Sequence, residues 1–151
     1  MSDLEPLDHV NRVLLRALHA DPRSSMSALA RTVGMSAPAV TERVQRLQRA
    51  GVITGFTMNV DPAALGLPVT AFVRVRPAAR QLAKIAALAE SLENVSECHR
   101  ITGEDCFLIK VHAATIPELE ATLDRFLTYG QTVSSIVVTT PVPPRPLPIP
   151  D

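Results

Sequence analysis

The stretch Leu29-Ala30-Arg31-Thr32-Val33-Gly34-Met35-Ser36-Ala37-Pro38-Ala39-Val40-Thr41-Glu42-Arg43-Val44-Gln45-Arg46-Leu47-Gln48-Arg49-Ala50-Gly51 decides how this chain folds. A helix begins near Ser25, carries Met26, Leu29, Ala30 and Val33 at helical spacing, and meets Gly34, the residue type that ends helices in the left-handed conformation. Only Met35 and Ser36 separate it from a second helix, Ala37 to Ala50. Ser36 is a good N-cap, Pro38 sits in the first turn, where its missing N–H costs nothing, and Gly51 closes the far end. A short helix, a glycine turn and a longer helix form a helix-turn-helix pattern.

Laid out at 100° per residue, the longer helix places Val40, Val44 and Leu47 on one face with Ala37 beside them. Ala39, Glu42, Arg46 and Arg49 point the opposite way, and Pro38 and Arg43 lie on the flanks. Small residues near the N-terminus allow close approach to base edges, and arginines further along reach guanine edges or phosphates. The candidate DNA-contacting residues are therefore Ser36, Pro38, Ala39, Glu42, Arg43, Arg46 and Arg49. The bland alternative is an amphipathic surface helix with solvated arginines. Upstream, Leu7, Val10, Leu14, Leu15 and Leu18 mark a first helix with Asp8 as N-cap, stopped by Asp21-Pro22.

The whole chain has 151 residues with 15 Lys+Arg against 15 Asp+Glu, 46% hydrophobic and 3% aromatic. A core built from Leu, Ile, Val and Ala follows, and disorder is excluded. Two cysteines exclude a disulfide scaffold. No apolar run is long enough for a membrane span, and the acidic start Met1-Ser2-Asp3-Leu4-Glu5 is no secretory signal. The expected compartment is the cytoplasm. The neutral total hides an asymmetry: residues 1–60 hold seven arginines against five acids, and residues 61–151 hold eight bases against ten acids. A locally basic segment in a neutral chain points to a polyanion partner.

Beyond the helical part, Ile53 to Val60 shows a broken alternation compatible with a strand, and Asp61-Pro62 and Gly66-Leu67-Pro68 are turn signals. Val69 to Val75 reads as a strand stopped by Pro77. Leu82, Ile85, Leu88, Ala89 and Leu92 are helically spaced. Val95 to Thr102 and Cys106 to Ala113 read as strands around a Gly103-Glu104-Asp105 turn. Ile116 to Tyr129 is a helix capped by Thr115 and ended by Gly130, and Val133 to Thr140 is the last strand. The order βαββαβ predicts an α+β, ferredoxin-like arrangement. Helices cover one sheet face. The other carries apolar residues and calls for a partner, so a dimer through the sheets is expected, with Val73 or Val75 on that face according to register.

The quoted helix-turn-helix, the stretch Leu7-Asp8-His9-Val10-Asn11-Arg12-Val13-Leu14 and the run Val40 to Phe56, continuing through Val60-Asp61-Pro62-Ala63-Ala64-Leu65-Gly66, resemble the Lrp/AsnC (feast/famine) transcriptional regulators. A departure is Asn11, where aspartate is usual. The resemblance implies a winged helix-turn-helix at 1–52 that binds double-stranded DNA and a connector strand at 53–67 that pairs with a second subunit. It further implies a ferredoxin-like effector domain at 68–142, and a homodimer assembling to an octamer.

The turn at 102–108 is, as chemistry, a hairpin with a flexible glycine and two carboxylates. Such groups accept an ammonium, and loop N–H groups accept a carboxylate; a solvated turn is the plain alternative. The resemblance implies that this turn carries the family's Gly-Asp-x-Asp-type motif and lines an amino-acid pocket between dimers. The candidate effector-binding residues are then Gly103, Glu104, Asp105 and Cys106, with Ser134 and Ser135 from the last strand. Gly103 and Glu104 match the first two motif positions. Cys106 stands where a second aspartate is common, exchanging an anionic acceptor for a weakly polar thiol.

Cys98, His99, Cys106 and His112 lack the close-pair spacing of a zinc site. If Gly103-Glu104 tops the hairpin, Cys106 lies opposite Ile101 and Cys98 opposite Ile109, so the thiols do not pair. No catalytic triad, phosphate loop or paired catalytic carboxylate stands out, and no metal or cofactor is expected. A rival reading on a similar architecture is an enzyme resembling the sirohaem decarboxylases. A third is a sequence-indifferent architectural DNA-binding protein. The tail at 143–151 continues a run with six prolines from Pro141 to Asp151, and reads as a passive extension or as an arm on a neighbouring subunit.

Overall fold

The computed structural model describes residues 7–150; Met1–Glu5, read above as no secretory signal, lie outside the described residues. The chain divides into two units, residues 1–58 with 142–151, and residues 59–141.

The first unit holds α1 (His9–Ala20), α2 (Met26–Val33) and α3 (Ala37–Arg49). Each begins where a short polar side chain accepts a hydrogen bond from a backbone N–H three residues on: Asp8 from Asn11, Ser25 from Ala28 and Ser36 from Ala39. Those caps satisfy N–H groups that have no intrahelical partner, at about 1 kcal/mol each. Gly34 ends α2 at φ 68°, a conformation strained for any residue with a Cβ. Leu14, Leu18, Leu29, Ala30, Val40 and Val44 close on one another as the core.

The expected strand at 53–60 is not formed. Residues 55–60 carry no secondary structure, and Phe56, Met58 and Val60 stand exposed, Met58 at 84%. A strand is defined by hydrogen bonds to a neighbour, and no neighbour lies alongside in the single chain. Among the described residues the helix-turn-helix therefore has no β-wing.

The second unit follows a short 3-10 turn, Pro62–Leu65. It comprises β1 (Val69–Pro77), α4 (Leu82–Ser91), β2 (Val95–Arg100), β3 (Phe107–Ala113), α5 (Ile116–Leu127) and β4 (Gly130–Ile136). The strands form one antiparallel sheet in the order β2-β3-β1-β4, the ferredoxin-like topology expected of βαββαβ. Ala71, Val73 and Val75 from β1 and Phe107, Ile109 and Val111 from β3 point to one face. There they pack with Ile85 and Ala89 of α4 and Leu119 and Phe126 of α5. Each buried Val, Leu, Ile or Phe among them contributes roughly 1.5–3 kcal/mol before entropy is counted.

Several boundaries differ from expectation: β4 spans Gly130–Ile136 rather than Val133 to Thr140, and β2 ends at Arg100 rather than Thr102. Pro77 is paired in β1, tolerated at the strand's last position, where it lies opposite Gly130. Gly130 opens β4 rather than ending α5, because a Cβ there would lie 2.2 Å from the carbonyl oxygen of Arg76. The backbones approach too closely for any side chain. The hairpin register is the one anticipated: Cys98 pairs with Ile109, and the Ile101 N–H donates to the Cys106 carbonyl.

Candidate functional site

On α3 the expected amphipathic division holds. Val40, Val44 and Leu47 are buried, whereas Glu42, Gln45, Arg46 and Arg49 are exposed, as are Ser36 and Pro38 at the start; Ala39 is half-buried. Arg49 pairs with Glu42 across the outward face at 2.8 Å. Arg43, expected among the DNA-contacting residues, is engaged within the helical unit. Its Nη1 donates to Asp8 Oδ2 at 2.7 Å and to Asn11 Oδ1 at 3.1 Å, bridging α3 to the start of α1. The flank on which the helical wheel places Arg43 is the side α1 reaches.

Asp8 thus does two jobs. It caps α1 through the Asn11 N–H and pairs with Arg43. The cap hydrogen bond first, then the guanidinium, holds its carboxyl below the usual aspartate range. Asn11 is nearly buried, so the Arg43 contact also satisfies an amide oxygen removed from water. An aspartate in its place would set a second carboxylate beside Asp8.

In the second unit the hairpin at 101–106 reaches the C-terminal end of β1. Arg76 pairs with Glu104 and, at 3.6 Å, with Asp105; Arg74 lies 3.5 Å from Asp105. Gly103 has φ 104°, where an L side chain is strained, in line with the need for glycine at the turn. The Cys106 thiol turns back toward the carbonyls of Gly103 and Glu104, at 3.9 and 3.8 Å, and its side chain rests on the core. Glu104 is therefore presented to solvent and Asp105 is half-buried, with two guanidinium partners between them, and the thiol closes the loop from beneath.

The family models place this geometry. The AsnC-type helix-turn-helix domain matches residues 7–48, and the Lrp/AsnC ligand binding domain matches residues 70–147. The chain belongs to the Lrp/AsnC family.

Within that family, the HTH-type transcriptional regulator LrpA of Mycobacterium tuberculosis is 36% identical over 139 residues, covering 90% of this chain and 93% of the relative. LrpC of Bacillus subtilis is 32% identical over 131 residues, covering 87% and 91%. Among solved structures, the feast or famine regulatory protein from M. tuberculosis complexed with L-methionine superposes with a TM-score of 0.87. It is 35% identical and covers 95% of this chain and 99% of that one. The relatives are named as transcriptional regulators, which favours the regulator reading over the decarboxylase-like enzyme.

The structure corrects two expectations about the Lrp/AsnC sensor domain. Val73 and Val75 are fully buried under the helices and are not on the open face. That face carries Phe72, Arg74 and Arg76 of β1, Leu108, Lys110 and His112 of β3, and Gln131, Val133 and Ser135 of β4, as the pairing register requires. Ser134 and Ser135 do not share a face: Ser135 pairs with Phe72 on the open side and Ser134 with Val73 on the helix side. Neighbouring residues of a strand cannot both point into one pocket on one face.

Sequence reasoning missed Arg74 and Arg76 as partners of the hairpin. It also missed a polar line across the open face, in which the two ring nitrogens of His112 are hydrogen-bonded to Thr70 Oγ1 at 3.0 Å and Ser96 Oγ at 2.9 Å. Burial, then the Lys110 charge nearby, lowers the His112 pKa from 6.5, against a smaller opposite effect of Glu97. Nearby, Lys110 and His99 both hydrogen-bond Glu97 and hold its carboxyl below the usual glutamate range. The alternation of Arg74 and Arg76 with Val73 and Val75 was the available signal for the face, since a guanidinium does not go under the helices.

Proposed function

We propose that this chain is a sequence-specific DNA-binding transcriptional regulator whose assembly or DNA affinity responds to an amino acid or related small molecule. The observation that carries the DNA half is α3: a capped helix with a buried apolar stripe and an outward face of small residues followed by Arg46 and Arg49. Ser36, Pro38 and Ala39 permit close approach to the major groove, Glu42 and Arg49 brace each other, and Arg46 reaches base edges or phosphate. Arg43 acts one step back, fixing the angle of α3 on α1.

The effector half rests on the 103–106 hairpin and on a relative of similar sequence complexed with L-methionine. Glu104 and Asp105 suit an ammonium, Arg74, Arg76 and loop N–H groups suit a carboxylate, and Ser135 stands on the same sheet face as the arginines. Phe72, Leu108 and Val133 make the apolar patch through which two sheets would pair into a dimer, with further assembly to an octamer. Coupling requires that the effector bind one assembly or head arrangement more tightly than another.

The test is DNA binding by Arg46→Ala over a range of salt. If Arg46 reads a base, the loss is about 1–3 kcal/mol and is confined to the specific site. If it meets phosphate, all sequences weaken alike and the salt slope shrinks by about one. Unchanged binding on every sequence overturns the assignment of α3.

A further inference from the structure

The proline-rich tail is neither a free extension nor a strand. Residues 142–151 belong to the same unit as the three helices, and Arg16 on α1 holds them. Its Nη2 donates to the Pro150 carbonyl at 2.9 Å and lies 3.5 Å from the Ile149 carbonyl. Exposure changes along the tail in step with this grip: Leu147 is 82% exposed, whereas Ile149 is half-buried.

The chemistry of the segment explains why an arginine is used. From Pro144 to Pro150 every second residue is proline. Each proline lacks an N–H, so the segment can form neither a helix nor a full strand ladder. What it offers is an extended row of carbonyl oxygens and alternating side chains. A planar guanidinium with several fixed donors is suited to successive carbonyls of this kind.

We propose that the outer face of α1 around Arg16 is a docking surface for an X-Pro-X-Pro peptide, and that its occupant is the chain's own C-terminus. The carbonyls held, at 149 and 150, lie beyond residue 147, where the match to the family's ligand binding domain ends. Docking within one chain needs only weak intrinsic affinity, because covalent attachment keeps the segment at a raised effective concentration, up to about millimolar.

The test uses the full chain and a version ending at Leu147, with a fluorescent peptide of residues 143–151 as probe. The shortened chain should bind the peptide by anisotropy, and the intact chain should bind it about tenfold more weakly, its own tail competing. Arg16→Ala in the shortened chain should weaken peptide binding about tenfold, the scale of a hydrogen bond to a charged group. Arg16→Lys keeps the charge without the fork and should fall between, with circular dichroism confirming that each variant is folded. No peptide binding by the shortened chain overturns the proposal, as does equal binding by the intact and shortened chains or by the Arg16 variants. A last arm fixes whose tail is docked. Shortened chains are co-assembled with tail-bearing Arg16→Ala chains. Renewed hydrogen-exchange protection of α1 in the shortened chains would show a tail donated by a neighbouring subunit and overturn docking within the chain.

Discussion

Two sets of arginines invite comparison. On α3, Arg43 ties two helices together from a side chain only 30% exposed, and its partner Asp8 is itself a helix cap. On β1, Arg76 holds Glu104, but the glutamate is 80% exposed. Both pairs join segments far apart in sequence, yet they differ in what breaking them leaves behind. Losing Arg43 strands the buried Asn11 amide oxygen, although the Asp8 carboxylate stays within reach of water, whereas losing Glu104 leaves only groups that water can solvate. The buried Asn11 amide makes the first bridge part of the fold. The second, open to water, is free to exchange partners, as the proposed effector role of the hairpin requires.

The largest expected effect tests the sheet-face assignment on which the second set depends. Val73→Asp places a charge under α4 and α5 and should cost more than about 4 kcal/mol, unfolding the sheet unit in chemical denaturation. Phe72→Asp, one residue away on the open face, should cost less than about 1 kcal/mol in folding. It should instead shift the protein toward monomer in sedimentation. Equal unfolding by the two would break the face assignment, and with it the placing of Arg74 and Arg76.

Next in size, Arg43→Ala should destabilise the helical unit by about 1–3 kcal/mol, read from the denaturation midpoint. It should weaken all DNA sequences together through loss of helix orientation. A loss confined to one base position would instead make Arg43 a reader. The same bridge has a pH signature. The folded Asp8 pKa lies below its unfolded value of 3.8, so its contribution is complete above that value and is lost as pH falls through the folded pKa. Asp8→Asn, which keeps a capping oxygen, should flatten that part of the stability curve. An unchanged acid limb in Asp8→Asn would mean that Asp8 is not the titrating group.

The smallest effect should belong to Glu104→Gln, at no more than about 1 kcal/mol in thermal unfolding. Calorimetric titration with a panel of amino acids should nonetheless show it altering ligand affinity severalfold. A large stability loss would make the hairpin pair structural, like that of Arg43, and erase the contrast.

Much of this was legible from local chemistry. Asp8, Ser36 and Thr115 cap helices as read, a helix starts near Ser25 as expected, and Gly34 and Gly51 adopt the left-handed conformation that ends them. The βαββαβ order and the hairpin register followed from alternation and one glycine turn. What was not legible depends on distance along the chain. Asp8 and Arg43 are 35 residues apart, and Arg76 and Glu104 are 28 apart. No spacing rule reaches that far. The connector at 53–60, expected to pair with a second subunit, carries no strand in the single chain for a related reason, since a strand also needs a neighbour. Ser134 and Ser135, taken together from the family resemblance, are adjacent in β4, and adjacency in a strand puts side chains on opposite sides.

The division at residues 58–59 and 141–142 carries a last consequence. The helical unit is discontinuous in sequence and the sheet unit is an insertion within it, entered through β1 and left through β4. The Val137 N–H donates to the Thr70 carbonyl at 2.8 Å, so entry and exit run side by side at one end of the sheet. An insert with adjoining ends behaves like a closed cassette: it can be exchanged between hosts with little change in the gap they must span.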